Sequence, residues 1–593
     1  PVGGWYDKDD QLVPESEIFE RYRDEVVARS GVRFFHDDGP LHDGHTPEAA
    51  VVFLDRDITF TVDDEAEARS YADEDPQFSV ASQTAFGEWQ VTRKAGAQVR
   101  VPRRATLNRR IGGLFPTDFD PARWGVPASM LDSIDPIAVW NLVSAVDAFV
   151  SAGFSPAELL RFIHPADLAC TQGTGFGGMR SMHKLFVDRF LGEEYPQDIL
   201  QETLPNVVAA HTMQSYIGGY GSMINPVGAC ATAAVSIEEG VDKIAAHKAD
   251  FVVAGAIDDI QVESIVGFGS MNATANSQEL LDRGISPRFV SRANDRRRGG
   301  FVEAQGGGTV LLTRASVAVE MGLPVLAVVA HAQTFADGAH TSIPAPGLGA
   351  LAVARGGASS PLARSLAALG VGVDDVAFVS KHDTSTNAND PNESDLHTRV
   401  GRALGRSAGN PLLVVSQKTL TGHAKGGACV FQVGGIIDAF RSGVIPANIA
   451  LDCVDDKMEQ YSPLVWLRSP LDLSARGPVR AAFATSLGFG HVSGFLALVH
   501  PGAFEAVVER EAGPEALARW RSASDARLRA GSRHFEMGML GHAPLFEPVD
   551  ARRLPDDPAL GAAGDPHEVE AQMLLDPRAR LGADGYYHLP DQQ

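Results

Sequence analysis

Residues 224–247 read INPVGACATAAVSIEEGVDKIAAH, and the change of texture inside this stretch decides how the rest of the chain is read. Pro226 and Gly228 form a turn. Beyond it Ala233, Ala234, Ile237, Val241 and Ile244 recur at the spacing of a helix buried along one face. Cys230 therefore stands at or near a helix N-terminus, between the small residues Ala229 and Ala231. Free backbone N–H groups and the positive end of the helix dipole are predicted to lower the thiol's pKa and activate it as a nucleophile. Taken alone, the placement leaves two readings open: a reactive thiol, or a cysteine used as a small buried hydrophobe.

Working outward, FVVAG at 251–255, VAFVS at 376–380, LLVVS at 412–416 and FLALV at 495–499 are continuously apolar runs of buried-strand length. Each adjoins a helical pattern or a loop of Gly, Ser and Thr, as buried sheets of α/β proteins do. Residues 101–335 and 336–502 are two comparable β/α blocks, which predicts a duplicated fold. Residues 1–100 are acidic and mixed, with helix-like SEIFERYRDEVVARS and strand-like AAVVFLDRDITFTV, and are predicted to be a lead-in or connecting region. Residues 503–593 turn to Pro, Asp, Arg and Glu, and are predicted to be a peripheral tail.

Composition narrows the classes. A net charge of −24 over 593 residues repels a phosphate backbone, which argues against general nucleic-acid binding. The four cysteines, Cys170, Cys230, Cys429 and Cys453, form no C-x-x-C pair, so free thiols and a cytoplasmic setting are expected. No run approaches the ~18 apolar residues of a membrane span. The opening PVGGWYDKDD has neither an initiator Met nor a basic signal segment, and a piece of a longer polypeptide is expected.

Further reactive groups fall at strand ends. His382 lies in FVSKHDTSTNANDPNES, directly after a strand, and His423 in SQKTLTGHAKGGACVFQVGGIIDAF, after a strand and before a helix. The helix start should keep His423 neutral and able to donate a hydrogen bond. One Cys with two such His argues for thiol acyl chemistry, since thiols form thioesters and neutral imidazole stabilises an oxyanion. In SLGFGHVSG, Gly488 and Gly490 flank Phe489, and the loop can aim a backbone N–H at an oxyanion; a plain hairpin turn is the competing reading. GTGFGG at 173–178 fits G-x-G-x-x-G, but the stretch before it is a poor strand and no acidic residue follows at ribose-binding distance, so a dinucleotide loop is rejected.

Together, GACATAA around Cys230, KHDTSTNANDPNES around His382, KTLTGHAKGG around His423 and SLGFG around Phe489 resemble a β-ketoacyl synthase, and most closely the ketoacyl synthase region of type I fatty-acid synthases. GTGFGGMRSMHKLFVDRF, PQDILQETLPN, SRANDRRRGGFVEAQGGG and the acidic ERYRDEVVARSGVRF extend the likeness to the fungal α chain. The absence of a long insertion between Gly349 and His382 resembles the single-chain bacterial, actinomycete-type synthase.

The resemblance implies a thiolase-like fold of two β/α halves with mixed sheets around buried helices. It implies Cys230 as acyl acceptor, His382 and His423 as stabilisers of enolate and oxyanion, and the N–H groups of Cys230 and Phe489 as oxyanion hole. Lys418 and Glu393 would be a buried charged pair supporting the histidines, Thr384 and Thr386 would hold the phosphopantetheine arm, and Phe176 would border the acyl pocket. Asp383 stands where many relatives have Gly, and GFGHVSG replaces the commoner GFGGTN. No metal or bound cofactor is required, because substrates arrive on the phosphopantetheine of an acyl carrier domain. Other synthase domains and a homodimer within a larger homo-oligomer, a hexamer, are the implied partners. Carrier proteins are acidic, so a basic patch is expected at Arg180, Lys184 and Arg189 or at Arg296, Arg297 and Arg298. A degradative thiolase would need a second cysteine in SLGFGHVSG, which has none, and a non-catalytic chain-length-setting scaffold would not need Cys230 with both histidines.

Overall fold

The computed structural model describes residues 5–7, 11–35, 45–116, 119–188, 195–338, 349–549 and 574–589. The chain divides into two compact units, Phe35–Arg110 and the remainder. The small unit pairs Ile58–Val62, Trp89–Arg93 and Ser79–Gln83 as an antiparallel sheet beside a helix, Glu65–Glu74, whose first turn is capped by Asp64. His45–Phe53 pairs antiparallel with Gln98–Thr106 in the same unit.

Alternation along the strands builds the large unit. In the first half, β1 (Leu168–Cys170), β2 (Phe251–Asp258) and β3 (Gly306–Thr313) form one sheet, β1 parallel and β3 antiparallel to β2. In the second half the order is β4 (Val328–Ala336), β9 (Val492–Val499), β8 (Ala481–Gly488), β5 (Val376–Ser380), β6 (Leu412–Val415) and β7 (Leu464–Trp466). Every residue of β2 and β8 is buried, as expected of a sheet covered on both faces. Val252, Ala254 and Ala256 of β2 face one core with Ala482 and Ala484 of β8 and Leu496 and Leu498 of β9. Their strand neighbours Phe251 and Val253 face a second core, and Ala481, Phe483, Phe495 and Ala497 a third.

The shared core is filled by two helices. Helix α2 (Thr232–Ala245) contributes Ala233, Ala234 and Ile237, and α4 (Ala428–Ser442) contributes Cys429, Val433, Ile436 and Phe440, so both lie between the sheets. Outside them, α1 (Pro136–Ala152) covers the first sheet and α3 (Asn389–Ala403) the second. The result is helix, sheet, helix pair, sheet, helix.

Two boundaries differ from the sequence reading. Gly31–Phe34 pairs with Ile111–Leu114 and buries Val32 against Ile111 and Val290, so the first 34 residues group with the large unit rather than with a separate lead-in. The tail is not peripheral: α5 (Gly502–Ala512) and α6 (Pro514–Met539) place Phe504, Val508, Leu517 and Trp520 in the core around α1. The Trp520 indole N–H donates to the Leu323 carbonyl at 3.0 Å. A Cβ on Gly531 would stand 2.3 Å from the Val150 carbonyl, so α6 crosses α1 at backbone contact. Among the described residues no helix is long and apolar enough to cross a membrane.

Candidate active site

Cys230 sits in a single turn of 3-10 helix, Ala229–Ala231, that leads into α2. The turn is sharp: Ala229 lies at φ +47, and the Thr232 hydroxyl braces it by accepting from Gly228 N–H at 3.0 Å and donating to Ala229 O at 2.7 Å. Gly488 passes so close that a Cβ there would stand 2.4 Å from the Gly228 carbonyl, and the Ser486 hydroxyl donates to Cys230 O at 2.9 Å. Strands β8 and β9 thus press the Phe489 loop onto the Cys230 turn, and the Phe489 N–H bonds the cysteine sulfur.

His382 follows β5, and His423 precedes α4, its backbone bridged to Glu303. Their rings meet edge to face with centroids 5.1 Å apart. The Cys230 sulfur and a nitrogen of each ring all lie within 4.8 Å of one another. They open onto a cavity of about 260 Å³ lined also by Thr384, Thr386, Met271, Phe301 and Phe489. The Thr384 and Thr386 hydroxyls are 3.1 Å apart. Asn272, Asp383 and Ser385 beside the cavity, like Ala229, hold positive φ, and such concentration of strained backbone is a mark of functional sites.

Electrostatics separates the thiol from the imidazoles. Burial pushes the Cys230 thiol up to about 12, against the pull of Lys418, Lys425 and the Phe489 N–H. The expectation of a helix-lowered thiol is overturned in sign: full desolvation of the charged form outweighs the helix start, and the resting group is the thiol. Burial, followed by the positive charge of Lys418, holds both histidines well below their usual range, hence neutral.

Lys418 and Glu393 grip His382 from two sides rather than pairing directly. The Lys418 ammonium lies 3.2 Å from His382 Nδ1 and 2.6 Å from its carbonyl. Glu393 accepts the N–H groups of His382 and Asp383, the Asn389 amide and the Thr485 hydroxyl. Burial raises its pKa, with Asp383 adding to the rise. Asp383, at φ +34, is held by an ion pair to Lys381 and by Asn294 and Ser416. Cys230, His382 and His423 also form a donor set of the type soft divalent ions use, but the Lys418 ammonium at His382 Nδ1 sets a fixed cation against such an ion.

Phe176 does not line the cavity. It is 39% exposed and touches Phe268 edge-on, with ring centroids 6.0 Å apart; Phe268 in turn stacks on Phe489 and meets Phe301, which abuts His423. Sequence reading missed Phe268 and Phe301; the glycines beside Phe268 in VGFGSMN were the available signal.

Three of the six basic residues expected at a carrier-docking patch are already held by carboxylates. Arg180 is tied to Asp259, Arg297 to Asp295 and Asp452, and Arg298 is buried on Asp390 and Asp455. Lys184 and Arg296 are exposed, and Arg189 lies outside the described residues.

Known proteins bear out this architecture. The ketosynthase FabY from P. aeruginosa superposes with a TM-score of 0.77 at 21% identity, covering 91% of this chain and 83% of its own. This defines the class: a thiolase-like ketosynthase fold. The profile of the beta-ketoacyl synthase N-terminal domain matches residues 80–318 and that of the C-terminal domain residues 326–452. "Fatty acid synthase 2" of Mycosarcoma maydis is 33% identical over 596 residues, which cover 99% of this chain and 15% of that one. "Fatty acid synthase subunit alpha" of Saccharomyces cerevisiae is 29% identical over 676 residues, covering 98% and 35%. The chain belongs to the β-ketoacyl synthase family, and is a condensing acyltransferase. It spans between 15% and 36% of the length of its fungal relatives.

Proposed function

We propose that this chain catalyses the decarboxylative condensation of fatty-acid elongation, with Cys230, His382 and His423 as its catalytic residues. The observation that carries the reading is the convergence of one thiol and two neutral imidazoles at the floor of a single cavity. In the first half-reaction the Cys230 sulfur forms a bond to the acyl carbonyl carbon and the pantetheine sulfur leaves. The thiol proton passes, through a neutral histidine, to the departing thiolate. The carbonyl oxygen becomes an oxyanion held by the N–H groups of Cys230 and Phe489.

In the second, malonyl-carrier loses its carboxylate as CO₂, and the electron pair moves into an enolate whose oxygen is stabilised by His382 and His423. An ammonium can only donate, so Lys418 fixes His382 Nδ1 as acceptor and leaves its proton on Nε2 as a donor. The enolate carbon attacks the thioester carbonyl, the Cys230 sulfur leaves as thiolate and takes up a proton from solvent to restore the thiol, and a 3-oxoacyl-carrier longer by two carbons departs. Thr384 and Thr386 on the cavity wall supply hydroxyls for the pantetheine arm.

The acyl carrier domain and the other domains of a fatty-acid synthase are the partners, in a cytoplasmic enzyme of the single-chain bacterial type. Exposed Leu200, Leu204, Tyr220, Ile224 and Val227, on the segment leading to Cys230, support pairing as a homodimer within a larger assembly. No cysteine lies in the 486–494 loop, which favours this reading over a thiolase.

Radiolabelled acyl-carrier should leave its label on Cys230, and ¹⁴C-malonyl-carrier should then release CO₂ and yield a 3-oxoacyl product. An unlabelled thiol under conditions where carrier binds would sink the proposal.

A further inference from the structure

Behind His382 the fold buries another histidine, to which the condensation steps assign no role. His397 lies on α3, 1% exposed, and its ring tilts against Phe495 with centroids 6.0 Å apart. Its Nε2 stands 3.1 Å from the Thr485 hydroxyl of β8, and among the described residues its buried Nδ1 has no hydrogen-bond partner. The Thr485 hydroxyl donates in turn to Glu393 Oε1, the oxygen that also takes the His382 N–H. One chain of contacts therefore runs from His397 through Thr485 and Glu393 to the main chain of His382. Gln432 of α4 holds its middle, the side-chain amide donating to the carbonyls of Ser380, Lys381 and Thr485 at 2.8, 3.1 and 3.0 Å. Ser486, the next residue of β8, faces the opposite way and donates to Cys230 O.

The direction of this chain follows from what each end can offer. Burial, followed by the charge of Lys381, pulls the His397 pKa down to about 3, so the ring is neutral and carries one proton. On Nδ1 that proton would make a buried N–H with no acceptor, which costs more than a lone pair left unused there. The proton therefore sits on Nε2 and is donated to Thr485. The Thr485 hydroxyl, which cannot donate to an N–H, turns its own proton to Glu393. Glu393 then meets four donors, the N–H groups of His382 and Asp383, the Asn389 amide and Thr485, which is the setting of a carboxylate rather than of an acid. Burial and Asp383 oppose that ionised form; Lys418 and Lys381, the latter shared with Asp383 and Asp390, favour it.

We propose that His397 is a positioning residue for decarboxylation: through Thr485 it holds Glu393 as an acceptor-only carboxylate, which fixes the main chain of His382 and so the aim of its ring. Without the His397 donor, Thr485 is free to accept a proton from Glu393, and the His382 N–H loses an anionic partner. The proposal rests on the condensation reading. His397 touches no substrate and gives up no proton in the reaction; it acts through the groups it holds.

The test compares, in the full chain, His397→Met, which keeps bulk and removes the donor, with His397→Gln, whose amide N–H can stand where Nε2–H stood. CO₂ release from malonyl-carrier and acyl loading of Cys230 are each followed across about pH 5 to 9. Glu393 serves as the carboxylate, so activity is lost as pH falls through its pKa; removing the His397 donor raises that pKa and moves the acid limb of decarboxylation to higher pH. Near neutrality the His397→Met kcat for decarboxylation should be down on the order of tenfold, the worth of one hydrogen bond in a charged network. KM for malonyl-carrier and the rate of acylation should stay within about twofold. His397→Gln should bring the rate and the limb back toward those of the unaltered protein. Thr485→Val cuts the same chain one link further on and should give the same shift, and the double variant should be no worse than the worse of its two parents.

Equal losses of acylation and decarboxylation at every pH, in step with lost near-ultraviolet circular dichroism, would overturn the proposal as merely structural. So would an acid limb that stays in place in both His397→Met and Thr485→Val, or effects of the two substitutions that multiply as independent changes. Should His397→Met not fold, Thr485→Val keeps the volume and carries the same comparison of pH profiles, an unmoved limb counting against the chain. Failure of Cys230 to accept acyl groups in the unaltered protein would instead sink the condensation reading, a different and separately visible result.

Discussion

The two helices of the middle layer begin alike and are set up by opposite means. Ahead of α2, the turn carrying Cys230 is made of Gly228, Ala229, Ala231 and a bracing Thr232, with no charged side chain in the first turn of the helix. Ahead of α4, the turn that follows His423 contains the buried Lys425, tied to Glu303, while Lys418 stands behind His382. The setting of Cys230 is backbone and small side chains, so burial dominates and its thiol rises. The histidines' setting is rich in fixed positive charge, so burial and charge act together and their pKa values fall. One buried cavity thereby holds a protonated thiol and two unprotonated imidazoles.

The strongest way to break that contrast is Cys230→Ala. Condensation should fall by at least on the order of 10³-fold, yet slow CO₂ release from malonyl-carrier should persist, because both histidines and the Phe489 N–H remain. Loss of both activities together would mean that the two settings do not work separately. Lys418→Met attacks the other setting and should slow decarboxylation by about 10²-fold. Burial is the first cause of the low His382 pKa and the Lys418 charge the second, so removing that charge lets the pKa rise part of the way back and the residual activity should begin to fall at a higher pH than in the unaltered protein. A rate loss with an unchanged pH profile would refute the electrostatic role of Lys418.

Thiol labelling sharpens the comparison directly. With the Cys230 thiol near 12, the thiolate fraction grows about tenfold per pH unit below that value. Iodoacetamide incorporation should therefore climb without a plateau from pH 7 to 9. A plateau near neutrality would restore the helix-lowered thiol. The smallest effect belongs to the mouth of the cavity: Thr384→Val should raise KM for carrier substrates by about two- to tenfold, the worth of one hydrogen bond, with kcat little changed.

How much of this was legible beforehand follows from the range of each signal. Cys230, His382, His423 and Phe489 sit at junctions where periodicity breaks, so local pattern marks them, and the buried strands announced a doubly covered sheet. Lys425 left no such mark, because a lysine two positions after a histidine reads as solvated until the fold brings Glu303 to it from 122 positions away. The thiol's ionisation was misjudged because helix position is local and desolvation is not. In the tail, Leu517 and Trp520 carry helical spacing, but the abundance of charged residues around them masked a face that only α1 reveals.

The placing of α2 and α4 between two sheets has a consequence for how this site can fail. The first turns of both helices, with Thr232, Ala233 and Ala234 in α2 and Ala428 and Cys429 in α4, are buried, so amide hydrogens there should exchange only through openings that lift the covering sheets. Heat, denaturant or a distant substitution then has no gradual route to loosening the Cys230 turn. Loss of thiol acylation and loss of the cooperative fold should coincide on a single melting curve.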